Sequence, residues 1–384
     1  MKQIKNGMRG SNMANISNMD YYEEGYKAEG LAADIETKSI LGSQNIDDNS
    51  LKLRSLCREH LGGRFFEITE SAEDIIRLMA DSLMLSGEVI TSPLLAYDLV
   101  EGMIKVGLKP VFCDIRLVDY TLDTQKLRTL ITPKTTAILA PHSFGYVCQI
   151  EEIDEIAREN GLHVIYDVSD AFCEQYKGQN MLDFGTFSIM RNPHLDGFEQ
   201  SNEFVLAYTD SELVTLVSSA RNFDYGKRLN SLQIAMNISQ IAKVKQLETK
   251  KAMVVDMYKD RLIGMNGVRV LRCQDDVRSN NEFLPMVISE KVFLGGRDSL
   301  ISALTRFGIP TRIKTLASDR DYEGVVFDSR RTPAAQIIMD RLIQLPVQAN
   351  MTQADVDKIV NIIRAYQIAC DIEVESKGQI FRVS

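Results

Sequence analysis

The sequence predicts an α/β fold, with a large domain around a mostly parallel sheet and a small α+β domain at the carboxyl end. Three features of the 384-residue chain predict it. Short apolar runs alternate with helical stretches of about ten residues, which is the rhythm of βαβ units. A helical tract at residues 229–263 is long enough to link two domains. After Gly267 the elements become fewer and longer, as in an α+β domain.

The elements of the large domain follow one another in alternation. A helix at 51–61 and a strand at 64–69 come first, and Ser71 with Asp74 forms a capping signal for the next helix. Further strands are predicted at residues 88–91, 109–115, 136–140, 163–167, 184–189 and 203–208. The helices among these strands are predicted at residues 72–85, 96–106, 124–131 and 150–160, the last ending at Gly161.

The carboxyl-terminal part has a different pattern. Strands are predicted at 268–271 and 282–288, and helices at 296–307, 333–341 and 354–366. The amino-terminal part is polar and weakly patterned, so we expect a loosely ordered arm there. The predicted divisions are an arm at 1–48, a large α/β domain at 49–245, a small α+β domain at 246–370 and a tail at 371–384.

Composition narrows the class of function. The net charge of −9 argues against a nucleic-acid partner, because phosphate binding needs a clustered basic surface. No apolar run approaches the roughly 18 residues of a membrane span, and no signal peptide is recognisable, so we expect a cytoplasmic protein. Six cysteines and four histidines lie far apart, without the spacing of metal ligands, so no metal site is predicted.

Several segments, taken in order, carry a resemblance. They read ITPKT at 131–135, HSFG at 142–145, DVSDA at 167–171, GKRLNSLQIAM at 226–236, GIPTR at 308–312 and RLIQLPVQANMTQADVDKIVNII at 341–363. In this order and spacing they resemble the DegT/DnrJ/EryC1/StrS sugar aminotransferases over about residues 50–366. The resemblance implies the pyridoxal-phosphate (PLP) transferase fold type I, like that of aspartate aminotransferase. It also implies a homodimer, nucleotide-sugar ligands, and PLP or pyridoxamine phosphate (PMP) as the cofactor.

The resemblance assigns cofactor contacts to particular residues. Asp167 matches the carboxylate on the pyridine nitrogen, and it ends a strand, where ligands of open α/β sheets collect. Ser71 and Ala72 match the helix N-terminus that holds the phosphate. Ser188 and Asn222 match polar residues retained at the phosphate. A strand-terminal Asp that caps a turn, and a buried polar pair, would explain Asp167 and the last two residues equally well.

Other contacts depart from the family pattern. Glu73 follows Ala72, where a carboxylate would face the phosphate at a cost of several kcal/mol in a partly dry site. Asp170 stands in place of a glutamine and adds a carboxylate near Asp167. The family's stacking aromatic is replaced in the segment Pro93-Leu94-Leu95-Ala96, and its glycine-rich turn is replaced at 198–202. These losses leave open that no cofactor binds.

The Schiff-base lysine is missing from its expected interval. No lysine lies between Lys177 and Lys227. His194 stands about where the lysine should be, and a small branch of the family, the 3-deoxy-sugar dehydratases, uses a histidine there with PMP. An imidazole moves protons near neutral pH but forms no Schiff base. His194 is therefore the catalytic candidate, although a surface-loop histidine is the plainer interpretation.

The sequence is compatible with two main functions. In the first, the chain is a pseudoenzyme that binds a nucleotide sugar or a catalytic partner subunit in polysaccharide or natural-product biosynthesis. In the second, it is an active PLP- or PMP-dependent enzyme on nucleotide sugars, either an aminotransferase or a dehydratase with His194 as the base. An unrelated ligand in the same cleft is a third alternative.

Overall fold

The computed structural model describes residues 65–69, 71–191, 204–221, 231–271, 274–311 and 330–380, with a few isolated positions before them. Within these ranges the predicted alternation of strands and helices is confirmed. The predicted arm at 1–48, most of the predicted helix at 51–61, and the residues His194, Asn222 and Lys227 lie outside them. The predicted domain boundaries remain predictions.

A seven-stranded sheet forms the large domain, with the strands in the order β1-β9-β8-β5-β4-β2-β3. These strands are β1 Phe65–Thr69, β2 Glu88–Thr91, β3 Lys109–Phe112, β4 Thr135–Pro141, β5 His163–Asp167, β8 Phe187–Arg191 and β9 Phe204–Tyr208. The neighbours from β8 to β3 all pair in parallel, whereas β9 runs antiparallel to both β8 and β1. The predicted mostly parallel α/β sheet is therefore confirmed.

Helices cover both faces of this sheet. They are α1 Ala72–Ser82, α2 Tyr97–Lys105, α3 Thr124–Leu130, α4 Ile150–Asn160 and α5 Leu213–Arg221. One apolar core unites α1, α2 and α5 with strand residues such as Ile165 and Ile189. A second core unites α3 and α4 with residues on the opposite face, such as Tyr166 and Met190. Because strand side chains alternate between faces, this division fixes the direction of each side chain near the strand ends.

The small domain combines a three-stranded antiparallel sheet with helices. Its strands β10 Val268–Val270, β12 Phe283–Ile288 and β13 Leu342–Pro346 pair in the order β10-β12-β13. Its helices are α6 Ser231–Leu262, α7 Gly296–Arg306, α8 Pro333–Arg341 and α9 Gln353–Ile380. Residues of α6, α7, α9 and the strands form a separate apolar core that includes Tyr258, Phe293 and Ile359, whereas α8 packs in another cluster with Leu94 and Ile115 of the large domain. The predicted α+β architecture of the small domain is therefore confirmed.

Polar contacts join the small domain to the large one. The side chain of Gln274 accepts from the backbone N–H of Val147 at 2.7 Å and donates to its carbonyl at 2.8 Å. The short strand β11 Val277–Arg278 pairs with β6 Gln175–Tyr176, which itself pairs with β7 Gln179–Asn180. The two domains therefore meet at the turn and hairpin that follow β5.

Some elements differ from the prediction. β8 begins at Phe187 rather than 184, because Met181–Asp183 forms a 3-10 turn before it. Helix α5 was not predicted, and α9 continues to Ile380 instead of ending at 366. Within the described part of the chain, no helix combines the length and apolarity needed to cross a membrane.

Candidate functional site

Asp167 lies at the carboxyl edge of the sheet, as its place at the end of β5 predicts. Its side chain points to the face covered by α1 and α2, since two residues on the same face belong to that core: Ile165, two positions earlier on β5, and Ile189, the register partner of Asp167 on β8. The residue is 2% exposed. One carboxylate oxygen, Oδ1, accepts from the backbone N–H of Ser169 at 3.0 Å and from its hydroxyl at 2.5 Å. Asp167 is therefore buried with that oxygen already engaged by its own turn.

A chain of polar contacts continues from Ser169 across the strand ends. The Ser169 hydroxyl oxygen accepts from the backbone N–H of Arg191 at 2.9 Å. The Arg191 guanidinium pairs with the carboxylate of Asp98 and lies 4.7 Å from the centre of the Phe204 ring. Arg191 ends β8, and Asp98 lies in the first turn of α2, which follows β2. In the sheet order β8-β5-β4-β2, the pair thus connects elements on either side of β5, the strand that Asp167 ends.

Ser71 caps α1 rather than presenting a free hydroxyl. Its Oγ accepts from the backbone N–H of Asp74 at 3.1 Å and donates to the Asp74 carboxylate at 2.6 Å, so the capping signal is confirmed. Ala72 is the first residue of α1. Because β1 runs parallel to β8, α1 starts at the same edge of the sheet as Asp167. The helix N-terminus is thus in place for an anion.

The carboxylate of Glu73 is held by cations of α1 and α2. Its carboxylate pairs with Arg77 one turn later at 2.8 Å, and with Lys105 of α2 at 3.6 Å. The hydrogen bond from Arg77 holds the pKa of Glu73 below its ordinary value. The side chain is thus drawn along the helix by i,i+4 geometry, and the repulsion expected between Glu73 and a phosphate stays a prediction. Asp74 is the carboxylate that lies against Ser71.

Ser188 lies on the opposite face of the sheet from Asp167. It is the register partner of Tyr166, and its fully buried hydroxyl donates to the carbonyl of Phe184 at 2.8 Å. The alternation of β8 places Phe187, Ile189 and Arg191 on the Asp167 face instead. The structure therefore does not bring Ser188 together with Asp167 and the start of α1.

Asp170 fixes a loop rather than adding charge beside Asp167. Its Oδ2 accepts from the backbone N–H of Phe144 at 2.9 Å. Phe144 has a φ of +58°, a left-handed conformation that is unfavourable for a side chain of this size. The Asp170 carboxylate thus stabilises the turn that follows β4.

His142, the histidine of the HSFG motif, is buried behind Asp167. Its ring stacks on Tyr166 with 5.0 Å between centroids, and its backbone N–H donates to the Asp167 carbonyl at 2.9 Å. Its Nδ1 accepts from the backbone N–H of Cys148 at 2.9 Å, which requires a ring without a proton on that atom. Burial lowers the pKa of His142 to about 3, so the ring is neutral at ordinary pH.

Sequence reasoning missed Arg191, Asp98 and Ser169. One signal was available for Arg191, because it continues the Phe187-Ile189 alternation of β8 with a charged residue on an otherwise apolar face. The partnership with Asp98 carried no such signal, since the two residues are 93 positions apart. Among the residues described, no group of three or more His, Cys, Asp or Glu side chains could hold a metal ion.

The residues fit only part of a pyridoxal phosphate. The Asp167 carboxylate suits the pyridine nitrogen, and the start of α1 suits the phosphate. Ser188 does not fit, because its hydroxyl is engaged on the far face. Lys177 does not fit the aldimine position, because its ammonium pairs with Glu151 on α4 and lies 4.9 Å from the Tyr176 ring. These residues therefore do not fit a covalently attached cofactor.

Known proteins are similar to this chain along most of its length. A dTDP-4-amino-4,6-dideoxy-D-glucose transaminase from Escherichia coli is 26% identical over 327 residues, covering 80% of this chain and 87% of that protein. A GDP-perosamine synthase from Caulobacter vibrioides is 25% identical over 306 residues, covering 74% of this chain and 80% of that protein.

Solved structures share the fold. DesI, crystallised in the presence of its TDP-sugar product, gives a TM-score of 0.80 at 19% identity, covering 90% of this chain and 92% of that chain. Helicobacter pylori PseC, an aminotransferase involved in the biosynthesis of pseudoaminic acid, gives 0.76 at 19% identity, covering 88% and 96%. The expected fold type I is confirmed. The sequence model of the DegT/DnrJ/EryC1/StrS aminotransferase family matches residues 69–191 and 207–364, more than half of the chain, and the chain belongs to that family.

Proposed function

We propose that this chain is a family member that binds a nucleotide-linked sugar but does not transaminate by the Schiff-base route. The proposal rests on the contact chain Asp167–Ser169–Arg191–Asp98. In this contact chain the polar groups at the strand ends bind one another. The position of the missing lysine supports it as well. The family match breaks at 192–206, within the interval that holds no lysine.

The chemical argument concerns the nucleophile. When bound, PLP supplies an electron sink, but it must exchange an imine with an amine of the protein. The nearest described cation to Asp167 along this contact chain is Arg191. A guanidinium stays protonated in proteins, with a pKa above about 12, so it cannot take the place of a lysine amine. Arg191 can bind and orient an anion, but it cannot form the imine.

The ligand class follows from the relatives. Two of them are named for dTDP- and GDP-linked sugars, and DesI was crystallised with a TDP-sugar. The start of α1, at the same edge of the sheet as Asp167, suits a phosphate group. We propose a nucleotide-linked sugar as the ligand, and a second copy of the chain or a catalytic partner subunit as the neighbour.

One observation supports a second function, that of a PMP-dependent dehydratase. Asp167 and the start of α1 are retained on one face, as noncovalent binding of PMP would require. In that case the chain would be a dehydratase with His194 as the proton-transferring base. Covalent trapping and calorimetry together separate the two functions.

Covalent trapping is the direct test. Full-length protein and the Escherichia coli relative are each mixed with one equivalent of PLP, reduced with borohydride, digested and mapped by mass spectrometry. We expect a pyridoxyl group at one lysine of the relative and at no single lysine of this chain. Stoichiometric labelling of one lysine, for example Lys227, that disappears in Asp167→Asn would overturn the proposal.

Titration calorimetry tests directly whether the chain binds a nucleotide-linked sugar. We expect dTDP- or GDP-linked sugars to bind more tightly than the free nucleotides, and PMP to show no saturable binding. Tight PMP binding, together with turnover of a 4-keto-6-deoxy sugar nucleotide that His194→Ala abolishes, would favour the dehydratase instead.

A further inference from the structure

Glu174 is a buried acid at the contact between the two domains. It lies in the turn that leads from β5 to β6, and it is 0% exposed. Its Oε1 accepts from the Ser279 hydroxyl at 3.0 Å and from the backbone N–H of Asn280 at 3.1 Å, both belonging to the small domain. Within the described part of the chain, no group hydrogen-bonds its other oxygen, Oε2. A carboxylate that bridges two domains is thus only half satisfied.

The charges around Glu174 disfavour its ionised form. Asp170 of the same turn and Glu248 of α6 are both negative neighbours. Two cations of the segments that carry Glu248 and Asn280 are paired with carboxylates: Arg278 pairs with Glu248 at 2.9 Å and Lys251 pairs with Glu282 at 2.8 Å. An ionised Glu174 would therefore be a buried charge whose main like-charged neighbour is Asp170, since Glu248 is compensated by Arg278. Burial, followed by the charge of Asp170, raises the pKa of Glu174 to about 8, although bonds from Asn280 and Ser279 oppose the shift.

The same contact holds the turn that carries the candidate site. The side-chain amide of Asn280 donates to the carbonyls of Asp170 and Phe172 at 3.0 and 2.9 Å. Asp170 in turn holds the loop at Phe144. A Cβ added at Gly145 would lie 3.1 Å from Glu174 Oε1, so this loop packs directly on the acid. Separation of the segment 279–282 from this turn would thus loosen the residues that follow Asp167.

We propose that Glu174 is a proton-controlled latch: in its neutral form it joins the turn 168–174 to the small-domain segment 274–282, and its ionisation releases that contact. The released carboxylate reaches water, where its charge is solvated. The latch acts on the mobility of the site rather than on its chemistry, so it does not depend on which ligand binds.

Linkage gives the sign and the size of the effect. The closed form holds the Glu174 proton up to about pH 8, whereas a solvated glutamate releases it near 4.5. Between these values the closed form binds more protons than the open form, so the closed form loses stability as pH rises. The opening equilibrium should therefore grow by up to about tenfold per pH unit across this window and level off above it.

Hydrogen exchange on the full-length protein tests the latch. Protection of peptides covering 168–176 and 274–282 is followed from pH 5.5 to 9 and corrected for the intrinsic exchange rate. In the wild type we expect protection to fall as pH rises to about 8 and then to level off. Glu174→Gln keeps the size and shape of the side chain without the titration, so its protection should be high and independent of pH.

Two further variants serve as controls for the hydrogen-exchange experiment. Glu155→Gln removes an exposed carboxylate of α4 that pairs with Arg128, away from the measured segments, and should keep the wild-type profile. Asn280→Ala removes the neighbouring bonds and should raise exchange at every pH while leaving the slope unchanged. Parallel pH profiles in the wild type and Glu174→Gln would overturn the proposal, as would a loss of the slope in Glu155→Gln.

Discussion

The guanidinium of Arg191, at the end of β8, pairs with the carboxylate of Asp98, in the first turn of α2, and both side chains are about four-fifths buried. Removing one partner leaves the other charge in a partly desolvated place. We therefore expect Arg191→Met and Asp98→Asn each to lower the free energy of unfolding by about 1–3 kcal/mol. The double variant should recover part of the loss, because no unpaired charge remains. Urea unfolding at neutral pH measures all three.

A surface ion pair provides the control for this cycle. Lys177 and Glu151 are both about half exposed, so Lys177→Met should cost less than about 1 kcal/mol. If the losses of Arg191→Met and Asp98→Asn were simply additive, the interaction between the two charges would contribute nothing to stability. The proposal that the polar groups of the contact chain stabilise one another would then be contradicted.

Asp114 couples the two domains through a helix N-terminus. Its fully buried carboxylate accepts from the backbone N–H of Ala335 at 2.9 Å, in the first turn of α8, and from Lys126 at 2.6 Å. Asp114→Ala leaves these donors without an acceptor, so we expect a loss of about 2–4 kcal/mol in unfolding free energy. Faster hydrogen exchange at the start of α8 should accompany it.

The matched variant is Asp123→Ala, which removes a cap inside the large domain alone. Asp123 accepts from the backbone N–H groups of Gln125 and Lys126 at the start of α3. Its loss should cost about 1 kcal/mol. Exchange at α8 should stay unchanged, and an equal effect of both variants on α8 would contradict the assigned role of Asp114.

Gly145 and Gly161 share a left-handed backbone but differ in their surroundings. A Cβ at Gly161, which caps α4 with a φ of +64°, would meet nothing within 4 Å. A Cβ at Gly145, with a φ of +78°, would lie 3.1 Å from Glu174 Oε1 and 3.4 Å from the Asp170 carbonyl. Gly161→Ala should cost about 1–2 kcal/mol for the backbone alone. Gly145→Ala should cost more, as measured by thermal unfolding, and equal losses would show that the loop yields freely.

Hydrophobic periodicity accounts for how much of the fold could be predicted. The strands Glu88–Thr91 and His163–Asp167 have the predicted ends, and so does the helix Ile150–Asn160 with its glycine cap. These elements are short, apolar and bounded by clear turn signals. Helix α5 carried a weaker signal, because Ser218 and Ser219 interrupt its apolar pattern.

The location of a site residue could be predicted from the sequence only where it depends on a single strand or helix. The place of Asp167 at a strand end follows from β5 alone. The face of Ser188 depends on the register of β8 against β5, in which Ser188 pairs with Tyr166 and Ile189 pairs with Asp167, and one sequence does not give that register. The pair between Arg191 and Asp98 depends on the packing of two distant elements, to which a single sequence gives no access.

His142 should make the protein sensitive to acid. Burial lowers its pKa to about 3, below the ordinary value of 6.5, so over this window the unfolded chain binds a proton that the folded chain does not. Stability contributed by neutral His142 is therefore complete above about pH 6.5 and is lost as pH falls, by up to about 1.4 kcal/mol per unit. His142→Phe keeps a ring against Tyr166 but loses the bond from Cys148, so at pH 7 it should be less stable by about 1–2 kcal/mol. Its unfolding free energy in urea should nevertheless fall less steeply between pH 6 and 4 than that of the wild type. His163→Gln, at a half-buried histidine, should change the slope less, and an unchanged slope in His142→Phe would mean that other groups govern acid unfolding.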